Sequence, residues 1–218
     1  MSATKFPAAV LWDLDGTLVD SENYWLSSEK QLAAEHGYDW TEQDGLDLVG
    51  FSLFESGEII RVKIGSKLTV LEIIERLTMD VVEQLKTSIA WRPGAQELLS
   101  ELREAGVKTA LVTMSFRNMA ELVVNSIGFD AFDVIVAGDE VEFGKPHPEA
   151  YLRAAELLGV DPGHCVALED SLTGLTSAER AGTVAIGIPN VSHIPEAENR
   201  VLWKTLTGVT LSDLQALF

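Results

Sequence analysis

Five short apolar runs separated by stretches of helical periodicity constrain this chain more than any other feature. The runs are Ala8–Trp12, Val107–Val112, Val134–Ala137, Cys165–Leu168 and Val184–Ile188. Helical patterns follow three of them, over Phe116–Ile127, Pro148–Leu158 and Thr173–Ala181, and a further helix over Ala95–Ala105 leads into the second run. Its bounds are marked by Pro93-Gly94 before it and Gly106 after it. Strands that are apolar throughout, rather than alternating, are covered on both faces. Alternated with amphipathic helices, they predict an α/β chain with a Rossmann-like, doubly wound parallel sheet.

One section breaks the rhythm. Between Val19 and about Trp91 the chain has helical periodicity only, over Tyr24–Glu35, Leu53–Ile64 and Leu71–Ile89. A strandless insert of this length reads as a small all-helical second domain. The expected division is an α/β core of residues 1–19 and 91–218 and a helical domain of residues 20–90, with hinges near Val19–Glu22 and Ala90–Gly94.

The first strand runs into two aspartates, in LWDLDGTLVDS (Leu11–Ser21). Asp13 and Asp15 repel one another and have no basic neighbour in the local sequence, so a cation is expected to hold them. An EF-hand loop would need glycine at its sixth position and glutamate at its twelfth. Those places hold Leu18 and Tyr24, which excludes it. In a parallel sheet, ligands gather at the carboxyl ends of the strands, where strand order reverses. The other predicted strands deliver Thr113, Glu169 and Asp170 to that edge, and Lys145 lies in the loop GKPHPE after the third. Carboxylates of this kind suit Mg²⁺, which keeps waters and takes a substrate phosphate. The stretch GDEVEFGK (Gly138–Lys145) is a near miss to a phosphate-binding P-loop. It has one residue too many between its glycines, Pro146 where a hydroxyl is needed, and three acids inside it.

Composition narrows the partners. A formal net charge of −18 argues against nucleic acid and anionic membranes, so an anionic substrate needs local cations. There is no apolar run of transmembrane length, and the first sixteen residues do not read as a signal peptide. Cys165 is the single cysteine, in an apolar run, and reads as a buried structural thiol in a cytoplasmic protein.

The stretches LWDLDGT, LVTMS, GKPHPE and ALEDS, in this order, resemble the four motifs of the haloacid dehalogenase-like hydrolases. The helical insert matches the place of that family's cap, and the closest subgroup is the small phosphatases and β-phosphoglucomutase-like enzymes. The resemblance implies an Mg²⁺-dependent phosphatase for a small phosphomonoester. Asp13 would be the nucleophile that forms an aspartyl-phosphate and Asp15 the general acid and base. Thr113 would bind a phosphoryl oxygen, and Lys145 would neutralise charge on Asp13 and the phosphoryl group. Metal ligands would come from Asp13, the Asp15 backbone carbonyl and Asp170, with Glu169 as a direct or neighbouring ligand. Met114 stands where the family often has a smaller residue, and touches substrate if its side chain faces the pocket.

The rival reading in the same family is a β-phosphoglucomutase-like mutase. Such enzymes carry a cap histidine and a cap arginine, whose places are taken here by Trp25 and Leu53, which favours water as the acceptor. A third reading is a non-catalytic binding protein on the same fold, against which the intact Asp13, Asp15, Thr113, Lys145 and Asp170 argue. His147 is read as a turn residue, Arg117 as part of a solvated helix face and Trp25 as a packing residue with possible substrate contact. A monomer or a weak dimer is expected.

Overall fold

The computed structural model describes residues 7–198 and 200–218. The signal-peptide reading and the start of the expected core domain fall partly on residues 1–6, outside the described residues. Six strands form one sheet: β1 (Ala9–Trp12), β2 (Lys108–Val112), β3 (Val134–Val136), β4 (Cys165–Glu169), β5 (Val184–Gly187) and β6 (Val201–Leu202), in the order β3-β2-β1-β4-β5-β6. All pairings are parallel. Every residue of β1 is fully buried, because helices cover both faces. Val10 and Trp12 pack on one side with Leu98, Leu99 and Met119. Ala9 and Leu11 pack on the other with Tyr151 and Ala154.

Strand order reverses at β1. From β1 the chain builds outward through β2 and β3, then returns to place β4 on the other side. The β1–β4 register pairs Trp12 with Leu168, and the ladder runs one step further, with the Asp13 N–H donating to the Leu168 carbonyl at 3.0 Å. The first residue past β1 and the last of β4 therefore emerge side by side, and both are acids.

The insert holds α1 (Glu22–Glu35), α2 (Glu42–Leu46), α3 (Leu53–Lys63) and α4 (Val70–Thr87). The last three each begin with a capping box, Thr41/Asp44, Ser52/Glu55 and Thr69/Glu72, which satisfies two otherwise free backbone N–H groups. Leu32, Trp40, Leu48, Ile60, Ile73 and Leu77 form a hydrophobic core within the insert. Lower on α4, Val81 and Leu85 join the core under the sheet instead. The two chain crossings run side by side: the Asp20 N–H donates to the Ala90 carbonyl at 2.7 Å and the Arg92 N–H to the Leu18 carbonyl at 3.0 Å.

The other helices are α5 (Ala95–Glu104), α6 (Arg117–Asn125), α7 (Glu149–Leu158), α8 (Leu172–Arg180) and α9 (Leu211–Gln215). The expected strands and helices are present with ends shifted by a residue or two, as frayed termini allow. Cys165 is fully buried as expected, and burial, then the nearby Asp161 charge, pushes its thiol up to about 12.

Candidate active site

Asp13 leaves β1 with one carboxylate oxygen 2.7 Å from the Lys145 ammonium. Lys145 is buried, and its other partners are the Glu169 carboxylate at 2.7 Å and the Val112 carbonyl at 2.9 Å. All three ammonium protons are thereby used. Burial opposes the charge on Lys145, but Asp13 and Glu169 outweigh it and hold the ammonium above its ordinary pKa. The local cation missing from the sequence around Asp13 is thus supplied from 132 residues away.

One ammonium does not balance three buried acids. Asp13, Glu169 and Asp170 each bring an oxygen to within 4.8 Å of the others. Burial first, and then neighbouring carboxylates led by Glu169, pushes Asp13 up to about 8. Burial, then Asp13 and Glu169, likewise raises Asp170 well above the usual carboxylate range. Among the described residues, one oxygen of Asp13 and one of Asp170 are buried with no hydrogen-bond partner. Orphaned anionic oxygens at this spacing fit a small, hard divalent cation. Glu169 is engaged differently, since its Oε1 accepts from both Lys145 and the Tyr151 hydroxyl, the latter at 2.5 Å.

Two glycines make room for the acids. Gly16 has φ +82°, and a Cβ there would lie 2.0 Å from an Asp170 carboxylate oxygen. A Cβ on Gly174, in the first turn of α8, would lie 2.0 Å from a Glu169 oxygen.

Asp15 is turned away from this cluster into a cradle of donors. Its Oδ1 accepts from the Ser21 hydroxyl at 2.6 Å and the Trp25 indole N–H at 3.0 Å. Its Oδ2 accepts from the Ser115 hydroxyl at 2.6 Å and the Thr113 hydroxyl at 3.3 Å. The Ser115 N–H in turn donates to the Thr113 oxygen at 2.9 Å. Asp13 and Asp15 therefore sit in contrasting surroundings, one with an ammonium and orphan oxygens, the other among neutral donors.

A cavity enclosing roughly 860 Å³, part of it open solvent, joins the sheet edge to the helical insert. Asp13, Asp15, Met114, Lys145 and Asp170 line it, as do Trp25 and Leu53 from the insert. Met114 does face the cavity, and its sulfur accepts from the Lys145 N–H at 3.3 Å, which ties down the loop that carries the ammonium. Arg117 and His147 are absent from the lining. Arg117 pairs with Glu140 at 2.7 Å, and the His147 ring packs at a tilt against Phe143 with ring centroids 4.9 Å apart. Sequence reasoning does not single out Ser21, Ser115 or Tyr151, which bond the site's acids, nor Glu22 and Glu29, which line the cavity. Ser21 follows the first motif by four residues and Ser115 closes the second, but nothing in their local sequence marks them as partners of Asp15.

A family model described as haloacid dehalogenase-like hydrolase matches residues 7–182. The chain belongs to this family. It is 30% identical to hexitol phosphatase B of Escherichia coli O157:H7 over 224 residues, covering 98% of this chain and 99% of that one. It is 32% identical to the protein CbbY of Rhodobacter capsulatus, covering 84% and 85% of the two chains. Among solved structures it is similar to CbbY from Rhodobacter sphaeroides in complex with phosphate, at 29% identity and a TM-score of 0.84, covering 95% and 98% of the chains. The parallel sheet covered by helices is the fold that this chain shares with that structure, and the family, with its relative named as a phosphatase, makes the chain a hydrolase of phosphoric monoesters. Among the described residues, no helix is long and apolar enough to cross a membrane.

Proposed function

We propose that the chain is an Mg²⁺-dependent phosphatase that hydrolyses a small phosphomonoester, of the sugar-phosphate kind, through an aspartyl-phosphate on Asp13. The observation that carries the reading is the contrast between Asp13, held by Lys145 beside orphaned carboxylate oxygens, and Asp15, hydrogen-bonded through both oxygens on the same turn. The relatives named as hexitol phosphatases support a phosphorylated polyol or sugar as the substrate.

The Asp13 carboxylate attacks phosphorus, and the bond from phosphorus to the ester oxygen breaks as the departing oxygen takes a proton from Asp15. Water then returns a proton to Asp15 as it attacks phosphorus. The bond to Asp13 breaks, leaving the carboxylate free and phosphate released. Lys145 offsets charge on Asp13 and on the phosphoryl oxygens throughout. Thr113 would turn its hydroxyl proton from Asp15 toward a phosphoryl oxygen, while Ser115 keeps the shorter bond to the same Asp15 oxygen. Met114 borders the substrate space. Asp13, Asp170 and the Asp15 backbone carbonyl would hold Mg²⁺, with Glu169 beside them to fix Lys145 and the cluster. The ion, when bound, supplies positive charge that keeps the buried carboxylates ionised and draws in the phosphate.

Residues 20–90 act in this reading as a cap over the core of residues 1–19 and 91–218, excluding bulk water from the phosphoryl group. Leu53 offers a second phosphate nothing, and Trp25 cannot take up a proton near neutral pH, so water rather than a sugar hydroxyl accepts the phosphoryl group. One buried cysteine fits a cytoplasmic location, and a monomer or weak dimer is proposed. The test is release of inorganic phosphate from a panel of sugar and polyol phosphates, with Mg²⁺ and with excess chelator. Release that tracks substrate loss and stops with chelator supports the reading; release indifferent to chelator removes the metal from it.

A further inference from the structure

One wall of the cavity comes from the insert, and its charged groups are all of one sign. Glu22 and Glu29 lie two turns apart on α1, and both line the cavity. Glu29 is 7% exposed, and its Oε2 accepts from the Trp40 indole N–H at 3.0 Å. Glu22 is half-buried, and among the described residues its carboxylate has no hydrogen-bond partner. Around them the wall is apolar, with Leu48, Leu53, Ile60 and Leu77. Among the described residues that line the cavity, Lys145 is the single cation, and its three protons are spent on Asp13, Glu169 and Val112.

We infer that this cavity selects phosphomonoesters whose leaving group carries no second negative charge and presents hydroxyl groups to Glu22 and Glu29. The inference rests on the phosphatase reading, which places the phosphoryl group at Asp13. When ionised, each acid is acceptor-only, so above neutral pH the wall is matched by hydroxyl donors, and such bonds to a charged acceptor are stronger than neutral ones. A second phosphate or a carboxylate at the far end would lose its water against apolar side chains and meet like charge with no cation to pair it. The wall thus rejects as well as attracts, which is how a pocket separates ligands of equal size. Burial, then the charges of Asp15, Glu29 and Asp20, raises Glu22 to about 7, a cost that stands until a donor reaches it.

Sorbitol 6-phosphate and 6-phosphogluconate make a matched pair, open six-carbon chains that differ at the far end by a hydroxymethyl group against a carboxylate. Their binding to the full-length Asp13→Asn protein with Mg²⁺, by titration calorimetry, reads selectivity apart from turnover. Sorbitol 6-phosphate should bind at least about a hundredfold more tightly, and Glu22→Gln in the same background should narrow the gap to about tenfold. Equal affinities, a preference for 6-phosphogluconate, no binding of sorbitol 6-phosphate, or a gap that Glu22→Gln and Glu22→Ala both leave untouched would overturn the inference. Phosphate release from p-nitrophenyl phosphate by the unsubstituted protein, measured alongside, reports on the phosphatase reading alone.

Discussion

The indole N–H of Trp25, on the first helix of the insert, donates to Asp15 Oδ1 at 3.0 Å. The residue proposed to move the proton is thereby tied to the insert as well as to the sheet edge, where Ser115 holds its other oxygen. Trp25 is a positioning residue in this arrangement. Trp25→Phe keeps the ring and removes the donor. It should lower kcat about tenfold with KM changed less than about threefold, the signature of a misplaced proton carrier rather than a damaged pocket. A KM effect alone would make Trp25 a binding residue.

Lys145 answers for two buried acids at once. Lys145→Met would strand Asp13 and Glu169 without their cation, which costs about 3–5 kcal/mol in comparable buried networks. Denaturant unfolding in the presence of chelator should show that loss, and turnover should fall at least about a hundredfold. Unchanged stability would mean that the acids take up protons at little cost.

Gly16 is required by space as much as by backbone. Gly16→Ala places a methyl on the Asp170 carboxylate and forces an alanine to φ +82°. The Mg²⁺ concentration for half-maximal activity should rise about tenfold or more as Asp170 is displaced. Gly37 is a control, with φ +72° and nothing within 4 Å of a Cβ. Gly37→Ala should show only the backbone cost, about 1 kcal/mol, and an unchanged Mg²⁺ requirement.

Glu29 makes stability depend on pH. Burial pushes its carboxyl from 4.5 to about 7, against the Trp40 hydrogen bond, which favours the charged form. Between those values the folded protein holds a proton that the unfolded chain has lost, so stability falls as pH rises through that window and levels off above it. Glu29→Gln, which can keep the bond from Trp40, should remove this part of the decline. Relative to the parent protein, it should gain on the order of 3 kcal/mol between pH 4.5 and pH 8 in chemical unfolding. A difference between the two proteins that does not vary with pH would place the titration elsewhere.

The long elements were legible because burial on two faces and on one face leave different patterns. β1 is apolar throughout, whereas α4 buries Ile73, Ile74, Leu77, Val81 and Leu85 at helical spacing. The short ones were not. α2 is five residues with a glycine inside, and β6 is two, too few to show any period. Asp13, Asp15, Glu169 and Asp170 could be read from strand ends, since a parallel sheet gathers those ends at one edge. The contacts of Asp15 could not. Ser115 lies 100 residues away, and its direction depends on how the turn after β2 packs. Tyr151 reads as a core residue of α7, and only its hydroxyl, reaching Glu169, joins it to the site.

The central claim is that phosphate passes through Asp13. The direct measurement is to mix the protein with sorbitol 6-phosphate and Mg²⁺, quench into acid during turnover, and locate covalent phosphate by peptide mass spectrometry. The account predicts phosphate on Asp13, lost with chelator and absent from Asp13→Asn, whose turnover falls by several orders of magnitude. Phosphate on another residue, or steady turnover by Asp13→Asn, would contradict it.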